Sequence, residues 1–330
     1  MIMYNVTMYI IHNRCGQLAG RLVRLQLTGS QNLSSAAVAQ LLGGCVRTMR
    51  VLEFRDTARV VQTLVTGRTA DTRPQLRSLH AGEESQSETL AVAVAACPHV
   101  EHVYLVTAEH NSVECVLALL DLSYLRELHV REDPSLAGGR DQPRLCSALG
   151  PVVARHGATL VSLNLAEVRG VEVAALCASC PSLVHLALLW NKSYVSSEAD
   201  ITREWFPKLQ TVDLAYIDSE MDNLVEVPTN NLLQILRSPL LKSVKICASM
   251  NLSDQCIENV LAINPLINLE FLELNKCHEV SFDILESLLD TENRISHVRL
   301  LKCEQISRRD IENYKRKVKK WKWNIVIDWT

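Results

Sequence analysis

The chain has 330 residues, of which 48% are hydrophobic, so it holds enough apolar side chains for a core and wholesale disorder is excluded. Its 34 Lys and Arg against 37 Asp and Glu give a formal net charge of −3, which excludes a chain-wide electrostatic interaction with DNA. Aromatic residues make up only 5% of the chain, which predicts a core of aliphatic side chains.

The cysteines and the apolar segments predict a protein of the cytoplasm or the nucleus. There are 11 cysteines, spread from Cys15 to Cys303, whereas the cysteines of a secreted disulfide framework are dense and usually even in number. The longest apolar runs, such as residues 90–97, are far shorter than the roughly 20 residues that cross a bilayer. The apolar start lacks the basic leading region of a signal peptide, and we expect no membrane partner.

A pattern of the form apolar-x-x-apolar-x-apolar recurs along almost the whole chain. Its copies begin, in chain order, at Leu22, Met49, Leu76, Val100, Leu125, Leu160, Leu183, Leu209, Leu241, Leu269 and Ile295. Eight of the ten spacings between successive copies lie in the range of roughly 20–29 residues that is typical of leucine-rich repeats. The last two apolar positions alternate as on a short strand, so both point into the core.

Segments with helical periodicity follow the strand copies. A helix is predicted over residues 34–42 with Ser34 as its N-cap, and the same arrangement recurs behind Ser281 and Ser307. One strand and one helix cannot bury their apolar faces alone, so such units are stable only when neighbours stack. The sequence therefore predicts an α/β fold, a leucine-rich-repeat solenoid with a parallel sheet on its concave side and helices on its convex side.

The predicted organisation has three parts. Residues 1–21 form an N-terminal segment or cap, residues 22–307 an array of about eleven repeats, and residues 308–330 a basic C-terminal capping helix and strand. Two long spacings indicate insertions, a loop over residues 131–143 and an acidic stretch over residues 218–228. Insertions in solenoids often lie on one rim beside the binding surface, and tolerated surface loops are an equally good interpretation.

Four blocks resemble the Cys-Pro-x-Leu-x-x-Leu-x-Leu signature of cysteine-containing leucine-rich repeats and the cysteine-bearing turn that follows the strand. They are residues 97–105, 180–188, 272–281 and 298–307. From about Leu22 onwards the chain therefore resembles the F-box/leucine-rich-repeat proteins. The resemblance implies a horseshoe-shaped fold like that of ribonuclease inhibitor. It also implies that the chain acts as the substrate-recognition arm of a cullin-RING ubiquitin ligase and has a ligase adaptor as a partner.

The start of the chain departs from that family. F-box members carry a helical adaptor-binding module before their repeats, and residues 1–20 are too few to hold it. Two functional hypotheses follow from this departure. The chain is the recognition arm of a ubiquitin ligase, or it is a stand-alone leucine-rich-repeat scaffold or inhibitor with no ligase role.

No motif for catalysis is found in the sequence. It contains no Gly-x-Ser-x-Gly elbow, no phosphate-binding Gly-x-x-x-x-Gly-Lys loop and no Gly-x-Gly-x-x-Gly turn. Cys177 and Cys180 form one Cys-x-x-Cys pair, but a structural zinc ion needs four ligands and no second pair lies at a suitable spacing. We expect a protein that is not an enzyme and that holds no metal ion and no cofactor.

The side chains between the buried strand positions predict a protein-binding surface on the concave face. Neighbouring strands lie about 4.8 Å apart, so we expect His80, Tyr104 and His129 to form a ladder beside other polar groups. The residues predicted to contact a protein partner are His80, His102, Tyr104, Glu127, His129, His185, Asp213, Phe271, Glu273 and Arg299. The alternative interpretation is that these strand positions simply accept such side chains and have no binding role.

The C-terminal segment is strongly basic. Residues 308–322 hold eight Lys or Arg and two acidic residues, with Trp321 and Trp323 nearby and a last strand predicted over residues 324–329. Basic clusters with aromatic residues bind nucleic acid or act as nuclear localisation signals. Terminal repeats must be atypical for solubility, so we favour a cap with a solvated basic face over nucleic acid as a partner. Nucleic-acid binding by this segment is a third and weaker hypothesis, and a steep salt dependence of binding would be its mark.

Overall fold

The computed structural model describes residues 23–27, 33–43, 45–67, 74–82, 86–107, 112–132, 145–195, 205–216 and 225–330. The chain divides into two compact units, Met1–Thr159 and Leu160–Thr330. The first residue of the repeat pattern, Leu22, lies outside the described residues, as do residues 133–143 of the predicted loop and residues 218–224 of the acidic stretch. The three-part organisation predicted from the sequence stays a prediction.

Strands and helices alternate along the first unit. Its strands are β1 (Arg24–Gln26), β2 (Val51–Glu53), β3 (Ser78–Ala81), β4 (His102–Thr107) and β5 (Glu127–Glu132). Its helices are α1 (Ser35–Leu42), α2 (Thr57–Thr66), α3 (Ser87–Ala96), α4 (Ser112–Leu117), which a 3-10 turn extends, and α5 (Leu145–His156). Strand β1 pairs with β2, and β4 pairs with both β3 and β5, in parallel throughout.

The second unit repeats this alternation. Its strands are β6 (Ser162–Ala166), β7 (His185–Leu189), β8 (Thr211–Ala215), β9 (Ser243–Cys247), β10 (Phe271–Asn275), β11 (His297–Leu301) and β12 (Val326–Trp329). Its helices are α6 (Val173–Ser179), α7 (Thr229–Leu236), α8 (Asp254–Leu261), α9 (Phe282–Leu289) and α10 (Arg308–Trp321). Each strand pairs in parallel with the next one along the chain.

The register of the strands places like positions of successive repeats side by side. In β10, Leu272 and Leu274 are buried while Glu273 between them is half-buried, and the same alternation recurs in β9 and β11. Buried aliphatic columns therefore run across the strands of each unit. Burial of a leucine side chain contributes about 1.5–3 kcal/mol, so the two inward residues of each strand are the main source of cohesion between repeats.

A buried side chain closes the turn after β7. Asn191 donates from Nδ2 to the carbonyl oxygen of Leu165 at 3.1 Å, and its Oδ1 accepts from the backbone N–H of Val168 at 2.9 Å. These two backbone groups belong to the preceding repeat and are buried, so they have lost contact with water. Asn191 therefore satisfies the hydrogen-bonding groups that a tight turn leaves unpaired.

Cysteine thiols take the place of this asparagine in later repeats. Cys277 lies 3.6 Å from the carbonyl oxygen of Ile246, and Cys303 lies 3.6 Å from that of Leu274. Burial raises the pKa of the Cys277 thiol to about 12, so this group stays protonated and can donate. The cysteines that the sequence marks as characteristic of the repeat are thus packed residues that hydrogen-bond to the backbone.

Two of the three predicted N-caps make the expected side-chain bond. Ser34 accepts from the N–H of Ala37 at 3.2 Å, and Ser307 and Asp310 form a capping box at the start of α10. Ser281 occupies the N-cap position of α9, but its hydroxyl makes no capping bond. Its backbone N–H instead donates to the carboxylate of Asp254 at 2.8 Å, which joins neighbouring repeats.

Within the ranges that the structure covers, every helix is too short or too polar to span a bilayer.

Candidate protein-interaction face

In the first unit, the candidate site lies on the face of the sheet opposite to the buried aliphatic side chains, here called the open face. In strands β3, β4 and β5, the residues His80, Tyr104 and His129 each lie between two buried ones. The register sets His80 opposite Tyr104, and Tyr104 opposite His129. Three aromatic side chains from three repeats are thus brought into one row.

The three rings of this row stack on one another and form the ring ladder. The ring centroids of His80 and Tyr104 are 5.3 Å apart with 7° between the planes, and those of Tyr104 and His129 are 4.4 Å apart with 12°. These separations are those of stacked aromatic pairs, which gain energy beyond the burial of their area. The Tyr104 side chain is held on both faces and is still 46% exposed.

A histidine and a glutamate in contact with each other flank the ring ladder. Nδ1 of His102 lies 2.9 Å from Oε2 of Glu127, and the two residues are direct neighbours across β4 and β5. Both side chains are close to half exposed, so the pair lies in high dielectric and contributes little to stability. Its position indicates a polar border beside the aromatic row.

Burial sets the protonation state of the two histidines of the ring ladder. It lowers the pKa of His80 and of His129, and the carboxylates of Glu53 and Glu127 oppose this effect in part. His80 and His102 lower the pKa of His129 further through charge repulsion. Both rings are therefore neutral at pH 7, and each offers one hydrogen-bond donor and one acceptor. Nδ1 of His129 is buried and has no hydrogen-bond partner among the described residues.

The ring ladder borders a groove that the sequence-based reasoning only partly anticipated. The groove has a volume of about 740 Å³ and reaches from β1 to β5. Its lining includes Arg24, Glu53, Phe54 and Arg55, none of which is among the predicted contact residues. Arg24 and Glu53 form an ion pair across β1 and β2. Both occupy the same outward strand positions as the predicted residues. Their place in the repeat pattern is therefore the sequence feature from which their position in the groove lining could have been predicted.

The second unit carries a row of alternating charges on the same outward strand positions. The register aligns Asp213, Lys245, Glu273, Arg299 and Asp328 across β8 to β12. Arg299 donates to Glu273 at 3.1 Å and lies 3.9 Å from the carboxylate of Asp328. Positive and negative groups thus alternate along the row, and Arg299 lies at ion-pair distance from both of its neighbours.

Phe271, another predicted residue of the second unit, lies beside this row. The ammonium group of Lys245 lies 5.8 Å from the ring centre of Phe271, whose ring is 5.3 Å from that of His297. Burial raises the pKa of Asp213, an effect that Lys245 opposes and Glu273 reinforces. Asp213 and Phe271 therefore belong to one polar and aromatic cluster with Glu273 and Lys245.

The ten residues predicted from the sequence thus fall into separate groups. Five of them, His80, His102, Tyr104, Glu127 and His129, form one continuous patch in the first unit. Asp213, Glu273 and Arg299 belong to the charged row of the second unit, and Phe271 lies beside that row with Ser243 and His297 as its register neighbours. His185 stands apart on β7, exposed, with the small residues Ser162 and Thr211 as its register neighbours.

Comparison with known proteins supports the fold. No protein-family model matches the chain, and no curated protein matches its sequence. Among solved structures, the chain is similar to one in the crystal structure of the Rad7 and Elc1 complex in yeast, with a TM-score of 0.51 and 14% sequence identity. The match covers 92% of this chain and 69% of that chain.

The repeat geometry and this likeness together define an α/β protein of the leucine-rich-repeat type, and the fold class predicted from the sequence is confirmed. At 14% identity, the likeness shows the fold alone. The finer assignment to the F-box/leucine-rich-repeat proteins rests on the four sequence blocks that resemble that family.

Proposed function

We propose that this chain is a non-catalytic protein-interaction module and that the open face of its first unit binds a segment of a partner protein. The observation that carries the proposal is the ring ladder, in which Tyr104 is stacked on both sides and remains 46% exposed. The lack of a catalytic motif in the sequence is in keeping with a binding role.

Stacking prepares the ring ladder for binding. Immobilising a side chain at an interface costs about 0.5–1.5 kcal/mol in conformational entropy. Tyr104 is already held between His80 and His129, so most of that cost is met during folding. Tyrosine is also among the residues that dominate binding energies at protein interfaces, because it combines a large apolar ring with a hydrogen-bonding hydroxyl.

The charges around the groove indicate the chemistry of the partner segment. The lining contains Arg24 and Arg55 against Glu53 and Glu127, so its formal charges balance, and Arg24 is ion-paired with Glu53. The neutral histidine rings offer hydrogen bonds, and Phe54 supplies apolar lining. The groove therefore favours a segment with apolar side chains and hydrogen-bonding groups over a highly charged one.

The more specific proposal is that the partner is a substrate and that the chain is the recognition arm of a cullin-RING ubiquitin ligase. It is supported by the resemblance of residues 97–105 and 180–188 to the repeats of F-box/leucine-rich-repeat proteins. The similar chain of the Rad7 and Elc1 structure was itself solved in a complex of two proteins. Affinity purification of the whole chain tests this proposal: a cullin and its adaptor in the eluate support the ligase role. A stable partner captured without them favours a stand-alone scaffold or inhibitor.

The role of the open face is tested by a triple variant, His102→Ala with Tyr104→Ala and His129→Ala. We expect capture of the purified partner to fall at least tenfold, because a buried tyrosine anchor is commonly worth about 2 kcal/mol or more. The matched control is Tyr124→Ala, since Tyr124 is an exposed tyrosine of the same unit that does not line the groove. Unaltered capture by the triple variant, with a melting temperature near that of the parent chain, would remove the ring ladder from the binding surface.

A further inference from the structure

Helix α10 has one side that packs against the second unit. Ile311 and Tyr314 are buried, and Nζ of Lys317 lies 3.2 Å from the carboxylate of Glu286. Lys317 also contacts the carboxylate of Asp290. The apolar residues in the first two turns of the helix are therefore covered by protein, whereas Trp321 at its C-terminal end is exposed.

The two acidic residues of the helix are engaged within the helix itself. Asp310 closes the capping box with Ser307, and Glu312 lies 2.8 Å from the guanidinium of Arg308. The remaining cations are all exposed, and within the described part of the chain none has a carboxylate at ion-pair distance. They are Arg309, Lys315, Arg316, Lys319, Lys320 and Lys322.

Helical spacing puts these cations on one side. Lys315 and Lys319 are four residues apart, as are Arg316 and Lys320, and Arg309 precedes Arg316 by seven residues, or about two turns. From Arg309 to Lys320 the row is about 17 Å long at a rise of about 1.5 Å per residue. An unpaired basic row of this length, here called the basic face, spans several phosphate groups of a nucleic acid strand.

An exposed tryptophan adjoins the basic face at its C-terminal end. Trp321 is 59% exposed, and the ammonium group of Lys320 lies 5.5 Å from its ring centre. The helix ends one residue later at Lys322, whose left-handed backbone with φ of 58° turns the chain towards β12. A flat, accessible ring is thus held next to a positive charge, and this is the arrangement on which an unpaired base stacks.

We propose that the basic face and Trp321 bind single-stranded nucleic acid, with phosphates on the lysines and arginines and a base on the indole ring. A duplex keeps its bases stacked inside and leaves none for Trp321. An anionic bilayer is disfavoured because Ile311 and Tyr314 are buried, so a single large apolar side chain of the helix, Trp321, is exposed to enter it. An acidic peptide would use the cations and leave Trp321 without a stacking partner. The net charge of −3 does not oppose this site, because the positive charge is local.

Fluorescence anisotropy with a labelled 15-nucleotide oligouridylate tests the proposal on the whole chain. With three to five phosphate contacts, the logarithm of the association constant is expected to fall with the logarithm of salt concentration with a slope of about −2 to −3.5. Absence of binding at the lowest salt concentration would overturn the proposal. Equal competition by polyglutamate or by anionic vesicles would overturn it in favour of those partners.

Variants separate phosphate contacts from base stacking. Changing Lys315, Arg316, Lys319 and Lys320 to Gln is expected to weaken binding at least tenfold and to flatten the salt dependence by about 0.7 per lost contact. The control changes four exposed cations of the same unit outside α10, namely Lys208, Lys242, Arg294 and Lys302, to Gln. The control has the same net charge, so an equal loss with it would refute a localised site.

Trp321→Ala is expected to weaken binding about 5- to 150-fold and to leave the salt slope unchanged, because stacking does not release counterions. This variant alters one exposed side chain, so it tests the site even where the quadruple variant fails to fold. Circular dichroism and melting temperature report the folding of each variant. Full binding by folded Trp321→Ala would overturn the stacking role.

Discussion

The substitution Asn191→Ala tests how the repeats of the second unit are held together. It removes the donor to the carbonyl oxygen of Leu165 and the acceptor for the N–H of Val168, which lie at 3.1 and 2.9 Å. Both backbone groups are buried and stay unpaired in the variant. A buried hydrogen-bonding group left without a partner costs about 1–3 kcal/mol, so with two such groups we expect the free energy of unfolding to fall by about 2–6 kcal/mol.

Two further variants calibrate that loss. Among the described residues, the Asn268 side chain makes one hydrogen bond, to the carbonyl oxygen of Pro239 at 3.2 Å. Asn268 is also partly exposed, so Asn268→Ala is expected to cost less than about 1 kcal/mol. Asn191→Cys is expected to lie between the parent chain and Asn191→Ala. Its thiol can donate to the carbonyl of Leu165, as the thiol of Cys277 does to the carbonyl of Ile246.

Urea unfolding followed by circular dichroism measures the loss, and amide hydrogen exchange at Val168 locates it. Exchange at this amide is expected to accelerate in Asn191→Ala and to stay slow in Asn268→Ala, because only the former removes its acceptor. A loss below about 1 kcal/mol for Asn191→Ala, or one equal to that of Asn268→Ala, would refute the reasoning. Destabilisation without faster exchange at Val168 would show that the cost arises elsewhere.

Three further predictions concern stability. Burial lowers the pKa of His80, His129 and His156 in the folded chain below the value of about 6.5 that histidine has in the unfolded chain. The stability that depends on these neutral rings is therefore fully present above about pH 6.5, and it is lost as the pH falls from there towards the folded pKa. Changing all three to Gln is expected to reduce the drop in melting temperature between about pH 7.5 and 5.5, and an equal drop would contradict this account. Lys302 has a φ of 51°, in the left-handed region that favours glycine. In urea unfolding, Lys302→Gly is expected to have a free energy of unfolding up to about 1 kcal/mol higher than Lys302→Ala. A lower value for the glycine variant would count against backbone strain at this position. Thr57 is fully buried, and its hydroxyl donates to the carbonyl oxygen of His80 at 3.0 Å. Thr57→Val is therefore expected to lower the midpoint of urea unfolding by the equivalent of about 1–3 kcal/mol. An unchanged midpoint would show that this bond is dispensable.

The ring ladder shows which parts of the candidate site can be predicted from the sequence. His80, Tyr104 and His129 occupy the same position of successive repeats, and parallel pairing without a shift in register brings equal positions together. The pairing of His102 with Glu127 follows in the same way. Their role in binding stays a prediction, because geometry alone does not identify a partner.

His185 shows where the same reasoning ends. It occupies an outward strand position like the others, yet its register neighbours Ser162 and Thr211 are too small to build a cluster with it. Conversely, Arg24 and Glu53 line the groove although the predicted set omitted them. Position in the repeat decides which face a side chain takes, whereas the size and charge of its neighbours decide whether a site forms there.

The sequence by itself determined the repeat length, the aliphatic columns, the parallel strands and the cap at Ser34, because each follows from short-range periodicity and local hydrogen bonding. Only the tertiary structure decided that the outward residues divide between an aromatic patch and a row of alternating charges. It also decided that Ser281 is bound by Asp254 in place of capping its own helix. These outcomes depend on which side chains of different repeats come within a few ångströms of one another, and the pattern within one repeat does not contain that information.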